Sequence, residues 1–164
     1  MSGVCVRNEC DHDLDTAPLI EAVRATLRMY RDNKSPDGRV SIVLTSDERV
    51  RNLNRRYRGI DRVTDVLSFP ALPHGIGEEE PALGDLVLAI PWASRQADRA
   101  GHRMMDDLTL LVVHGTLHLL GFTHNDDRGS DAMRAAQSAV LQQLGVPPEN
   151  ARQLEQLSET EVWT

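Results

Sequence analysis

Between Thr16 and Arg31, apolar residues fall at Leu19, Ile20, Val23, Leu27 and Tyr30, the three-and-four spacing of one helix face. Residues 4–7 ahead of it read as a short strand, and Ser35-Pro36-Asp37-Gly38 behind it as a turn. Residues 39–45 form a strand rich in β-branched side chains. Ser46 then suits a helix N-cap, with Asp47 and Glu48 in the first turn. That helix runs to about Tyr57 and stops by Gly59, with Val50, Leu53 and Tyr57 as its inner stripe. Residues 65–69 and 83–90 are predicted strands; the second is nearly all apolar, which places it centrally. The Pro-, Gly- and Glu-rich residues 71–81 between them predict an exposed loop over the site. Pro91 opens a helix to about Ala100. A further helix, from Asp106 or Asp107 to Leu120, is apolar on nearly all sides and is expected to be buried. The last helix, residues 131–144, ends at Gly145 with Pro147 and Pro148 beyond.

Helices and strands joined by both short and crossover connections predict an α+β fold, a small mixed sheet packed by helices. At 164 residues the chain is long enough for one core. We expect a single domain over residues 1–148 and a polar, acidic tail over 149–164. A hydrophobic content of 40% and a charged content of 26% are ordinary for a soluble globular protein. No stretch approaches the roughly 20 apolar residues that span a bilayer, and residues 1–10 carry no apolar signal core. The expectation is a cytoplasmic protein with no membrane partner, or an organellar one lacking its presequence. Cys5 and Cys10 lack the second pair that a four-cysteine zinc site needs, and a reducing compartment makes them free thiols.

A net charge of −7 argues against indiscriminate nucleic-acid binding, but the charge is unevenly spread. Arg49, Arg51, Arg55, Arg56, Arg58 and Arg62 are opposed only by Asp61 in their segment. Lys34 is the sole lysine. Genome composition accounts for such a bias, yet arginine also offers a bidentate phosphate geometry that lysine does not. Arg51, Arg55 and Arg58 share one helix face at i, i+4, i+7, which suits a solvated face as well as an anionic ligand.

The candidate chemistry lies in His114-Gly-Thr-Leu-His118-Leu-Leu-Gly121-Phe-Thr-His124, which holds three of the six histidines. His114 and His118 stand one turn apart on a helix face. Gly121 is placed to end the helix in the left-handed conformation, so that the chain returns His124 toward the pair. Three neutral imidazoles with a fourth position open suit a catalytic divalent metal, most naturally zinc. The competing reading is two core histidines bonded to backbone carbonyls and an unrelated loop histidine. Gly115 occupies the position where a His-Glu-x-x-His peptidase carries its base, which argues against peptide hydrolysis. It either packs the helix or admits a substrate.

The histidine string resembles the signature of the YbeY endoribonucleases, bacterial and organellar rRNA maturation factors. Leu53-Asn54-Arg55-Arg56-Tyr57-Arg58-Gly59, Thr64-Asp65-Val66-Leu67-Ser68-Phe69-Pro70 and Leu83-Gly84-Asp85-Leu86-Val87 are similar, in order, to that family's upstream elements. The resemblance covers roughly residues 40–145. It implies a mixed four-stranded sheet with flanking helices and a buried metal-ligand helix. It implies a single-strand-specific metallo-endoribonuclease of small-subunit rRNA 3′-end maturation and ribosome quality control. His114, His118 and His124 become ligands of one divalent metal, and Arg58 the functional arginine near it. Two positions depart from the family pattern: Thr123 stands where Asp is frequent, and Gln137 where Glu is.

On this reading zinc acidifies a bound water and polarises a phosphoryl oxygen. Arg58 stabilises charge growing on the phosphate, and Arg51 and Arg55 hold flanking phosphates of single-stranded RNA. Asp85 and Asp65 are candidates for orienting a histidine through its second nitrogen, or for a general base. The partners are an rRNA precursor and the small ribosomal subunit or its proteins. The main rival is a non-enzymatic ribosome-assembly factor whose zinc is structural and closed by a fourth side chain such as Asp126 or Asp127.

Overall fold

The computed structural model describes residues 3–32, 38–71, 82–147 and 149–151. The expected turn at 35–38, the loop at 71–81 and the 149–164 tail lie wholly or largely outside these residues. Strand β1 (Val4–Asn8) leads through helix α1 (Ala17–Tyr30) to β2 (Arg39–Thr45). Helix α2 (Asp47–Arg58), β3 (Val66–Pro70) and β4 (Ala82–Ala89) follow. Three helices complete the order: α3 (Ile90–Ala100), α4 (Met104–Leu119) and α5 (Asp127–Leu144).

The four strands make one mixed sheet in the order β1-β2-β4-β3. The β1–β2 and β2–β4 pairs are parallel and β3–β4 is antiparallel. Strand β4 is central, as its apolar run requires. The architecture is the α+β fold expected, with element ends displaced by one to four residues. Helix α5 starts earlier than its apolar pattern because Asp126 caps it: the carboxylate accepts from Gly129 N at 2.6 Å.

Period-two alternation divides the strand residues between two faces. Val40, Ile42, Leu44, Val66, Leu86 and Leu88 join the main core with α1 and α4. Leu67, Val87 and Ala89 meet Val50 of α2 on the opposite face, with Leu53 and Trp92 at its margin. Helix α4 is enclosed on every side, with Leu108 to Leu117 continuously buried. Gly115 settles its role by packing: a Cβ there would stand 2.7 Å from Leu86 Cδ2 and 3.1 Å from Ser68 Oγ. The missing side chain lets α4 lie close against the sheet.

Helix α2 is held at both ends. Ser46 Oγ accepts from Arg49 N at 3.2 Å, and Gly59 closes the C-terminus at φ 71°. Buried Asn54 donates to the Arg62 carbonyl at 2.9 Å and draws the following loop back along the helix. Packing extends past residue 148: Asn150 is buried and donates to Asp107 at 2.9 Å.

Candidate metal centre

His114 and His118 occupy the last two turns of α4, and the helix end brings in His124. Phe122 N donates to the Leu117 carbonyl at 3.0 Å and Gly121 N to the His118 carbonyl at 3.0 Å. These two bonds, with Gly121 at φ 101°, make a Schellman closure. The Phe122 ring packs edge-on against Tyr30, ring centroids 5.8 Å apart, and anchors the reversed chain on α1. His124 therefore lands beside the helical pair, with centroid distances of 5.2 Å to His114 and 5.1 Å to His118. One nitrogen from each of the three rings lies within 4.8 Å of the others. The rings grade from buried His114 through half-buried His118 to exposed His124, so the cluster is reachable from outside.

Hydrogen bonds set the tautomers. His114 Nδ1 lies 2.9 Å from Gln137 Oε1, and His118 Nδ1 lies 3.0 Å from the Phe122 carbonyl oxygen. Each oxygen can only accept, so each Nδ1 carries the proton and each Nε2 presents a lone pair. The two Nε2 atoms stand 3.1 Å apart. Two lone pairs facing each other at that distance repel unless a cation lies between them. Nitrogen ligands of a tetrahedral zinc, at about 2.0–2.1 Å, are themselves separated by roughly 3.3 Å. The donor set fits such an ion. Burial, and next the neighbouring His118, lowers the His114 pKa to about 3. Burial, and next the neighbouring His124, lowers that of His118 to about 4. Both rings are neutral at physiological pH, the form that binds metal.

A cavity of about 260 Å³ opens beside His118, between the end of α2 and strand β3. Arg58, Tyr57, Ser68 and Phe69 line it with His118. Ser68 Oγ is shielded from solvent and has no hydrogen-bond partner among the described residues. Such a buried hydroxyl is costly until something bonds it.

Of the residues singled out from the sequence, Arg58 is brought to the histidines and the others are spread around them. Arg51 grips Asp61 at 2.8 and 3.3 Å in a solvent-exposed pair, beside a separate cavity that also includes Asp47 and Glu48. That partnership raises the Arg51 pKa and lowers that of Asp61. Arg55 is exposed and donates to Asn52 at 3.3 Å. Asp85 lies on the face of the sheet turned away from α4, in register with Phe69. Asp65 is buried just ahead of β3, where its carbonyl accepts from Ala89 N at 3.2 Å. The groups bonded to Nδ1 of His114 and His118 are thus an amide and a backbone carbonyl. Gln137 had a legible signal, a polar residue within the apolar stripe Met133, Ala136, Val140 and Leu141 of α5. The Phe122 carbonyl had none, because it depends on how the helix ends.

Fold and site together define a class: a small α+β domain whose central helix and its reversal converge three imidazoles that could hold one metal ion. A family described as Endoribonuclease YbeY matches residues 6–145, and the chain belongs to that family. The chain is 41% identical over 133 residues to an endoribonuclease YbeY of Desulforamulus reducens, covering 78% of this chain and 86% of that one. It is 39% identical over 140 residues to one of Rhodopseudomonas palustris, with coverages of 84% and 83%. A solution structure of a Thermotoga maritima protein superposes with a TM-score of 0.60 at 23% identity, covering 86% of this chain and 88% of that one, and shares the fold.

Proposed function

We propose that this chain is a single-strand-specific metallo-endoribonuclease that matures the 3′ end of small-subunit rRNA and serves ribosome quality control. The observation that carries this reading is the convergence of three imidazoles, two of them with Nδ1 held by an acceptor, beside a cavity that His118 shares with Arg58. His114, His118 and His124 would hold one divalent ion, for which zinc is the natural choice, and the group so formed would supply Lewis acidity toward water and a phosphoryl oxygen.

This chain's residues supply the rest. Gln137 and the Phe122 carbonyl keep the imidazoles in the ligating tautomer. Arg58 meets the phosphate with its planar fork and stabilises the charge that grows on it during cleavage. Ser68 Oγ, which has no hydrogen-bond partner among the described residues, donates to a phosphate oxygen. A cavity walled by a helix end and a strand admits a flexible strand and excludes a stiff duplex.

The absence of any carboxylate from the three-histidine group, among the described residues, supports a catalytic over a closed structural site. Asp126 is committed to capping α5. No helix among the described residues is long and apolar enough to cross a membrane, and Cys5 and Cys10 are free. Both features suit work in the cytoplasm on an rRNA precursor with the small ribosomal subunit and its proteins.

The test is cleavage of one labelled single-stranded RNA by the wild-type chain and by His114→Ala, purified in parallel so that contaminating ribonucleases are matched. Cleavage by the wild type alone supports the reading. Equal cleavage by both, or none by either, overturns it in favour of a non-enzymatic assembly factor.

A further inference from the structure

Beyond the metal-side cavity lies a second one, of about 580 Å³, on the open face of the sheet. Its size is within the roughly 300–1,000 Å³ typical of pockets for small organic ligands. The sheet register builds its floor. Cys5 pairs with Ser41, Ser41 with Asp85, and Asp85 with Phe69, so one row of side chains crosses all four strands. Helix α2 overhangs that row with Arg49, Leu53 and Tyr57, at i, i+4 and i+8. The two cavities share two residues, Tyr57 and Phe69, which form the wall between them.

That wall has an unusual property for this chain. Aromatic residues make up only 4% of the sequence, yet Tyr57 is 59% exposed. It is fixed edge-on against Phe69, centroids 5.4 Å apart, with the Arg56 guanidinium 5.4 Å from its centre. An exposed aromatic ring braced by Phe69 between two adjacent cavities is a stacking platform for a planar group. At the far end, Arg7 and Arg49 share the single carboxylate of Glu9, at 3.4 and 3.0 Å, which leaves an excess of positive charge. Between platform and arginines, the exposed Asp85 has no hydrogen-bond or ion-pair partner among the described residues. An ionised carboxylate only accepts, so it repels phosphate and attracts the amino group of a base; uracil's one ring donor, N3–H, lies between two carbonyl oxygens that the carboxylate repels.

We propose that the sheet cavity is a subsite for a nucleotide adjacent to the cleaved phosphate, one that favours an amino-bearing base over uracil. Its base stacks on Tyr57, its amino group donates to Asp85, and its phosphate faces Arg7 and Arg49. The strand passes from the metal-side cavity over the Tyr57–Phe69 wall onto the sheet. This rests on the ribonuclease reading above.

The test is binding of labelled single-stranded hexanucleotides to the full chain, with metal removed by chelation to prevent cleavage. Oligo(A) and oligo(C) are expected to bind several-fold more tightly than oligo(U). Asp85→Asn should abolish that preference. Tyr57→Ala should weaken binding of all three by roughly 5- to 150-fold, the range for losing one stacked base, and Tyr57→Phe should restore it. Thermal unfolding checks that each variant folds; if Tyr57→Ala does not, the base preference of the wild type and its loss in Asp85→Asn decide the question. RNA cleavage by the loaded wild type, with binding that shows no base preference and is unchanged by Asp85→Asn and by Tyr57→Ala, overturns the subsite and leaves the ribonuclease reading intact. Absence of RNA binding by the wild type overturns both.

Discussion

Replacing Gln137 by methionine tests the tautomer argument directly. Gln137 is 4% exposed, and its Oε1 accepts the Nδ1 proton of the equally buried His114 at 2.9 Å. Methionine fills similar space without that acceptor. A buried N–H deprived of its partner costs about 1–3 kcal/mol. The ring then has reason to move its proton to Nε2, where it can donate to His118 Nε2, only 3.1 Å away. That bond must be broken before a metal binds. Hydrogen-bond partners behind a metal ligand typically contribute about 10- to 100-fold in affinity, which at about 1.36 kcal/mol per tenfold agrees with the desolvation figure. Gln137→Met should therefore weaken zinc binding roughly 10- to 100-fold in competition with a calibrated chelator. Gln137→Glu should tighten it, because a charged acceptor makes the stronger bond. A Gln137→Met protein that folds normally and binds zinc within twofold of the wild type would refute the reasoning.

Three further outcomes are expected. Arg58→Ala should lower RNA cleavage by roughly 100-fold or more, as loss of a donor to developing charge does, while zinc content measured by mass spectrometry stays unchanged; loss of zinc would mean that Arg58 acts through the metal site's structure. Gly84→Ala should destabilise the fold by roughly 1–3 kcal/mol, read as a lower Tm, because its Cβ would meet the Phe69 carbonyl oxygen at 2.5 Å and Leu119 Cδ2 at 2.6 Å; an unchanged Tm would show that the β3–β4–α4 junction yields easily. The metal-free protein should lose stability as pH falls from about 6.5, the ordinary histidine value, toward the folded-state values of about 3 for His114 and about 4 for His118. In that window the unfolded chain binds protons that the folded chain refuses. A metal-free wild-type Tm that falls between pH 7 and pH 4.5 by no more than that of His114→Gln would contradict the burial argument.

The order of elements was readable because local periodicity creates it. The three-and-four spacing in α1, the Ser46 cap of α2 and the all-round apolarity of α4 each act within a few residues. The histidine cluster was readable for the same reason. Two ligands share a helix face, and Gly121 supplies the reversal that brings in the third. The arginine stripe was not. Spacing put Arg51, Arg55 and Arg58 on one side of α2, but only the helix's C-terminal end meets the His118 cavity. Arg58 alone lines it, while Arg51 turns to Asp61. Asp85 was equally ambiguous, since its motif neighbours contact α4 while alternation sends its own side chain to the other face. Gln137 follows His114 by 23 residues and reaches it only because α5 packs along α4. Local sequence thus determined which segments become helices and strands and which imidazoles converge, because those depend on short-range geometry. The partners of those imidazoles, and the choice of arginine at the site, depend on packing between elements distant in the chain, and only the tertiary structure decided them.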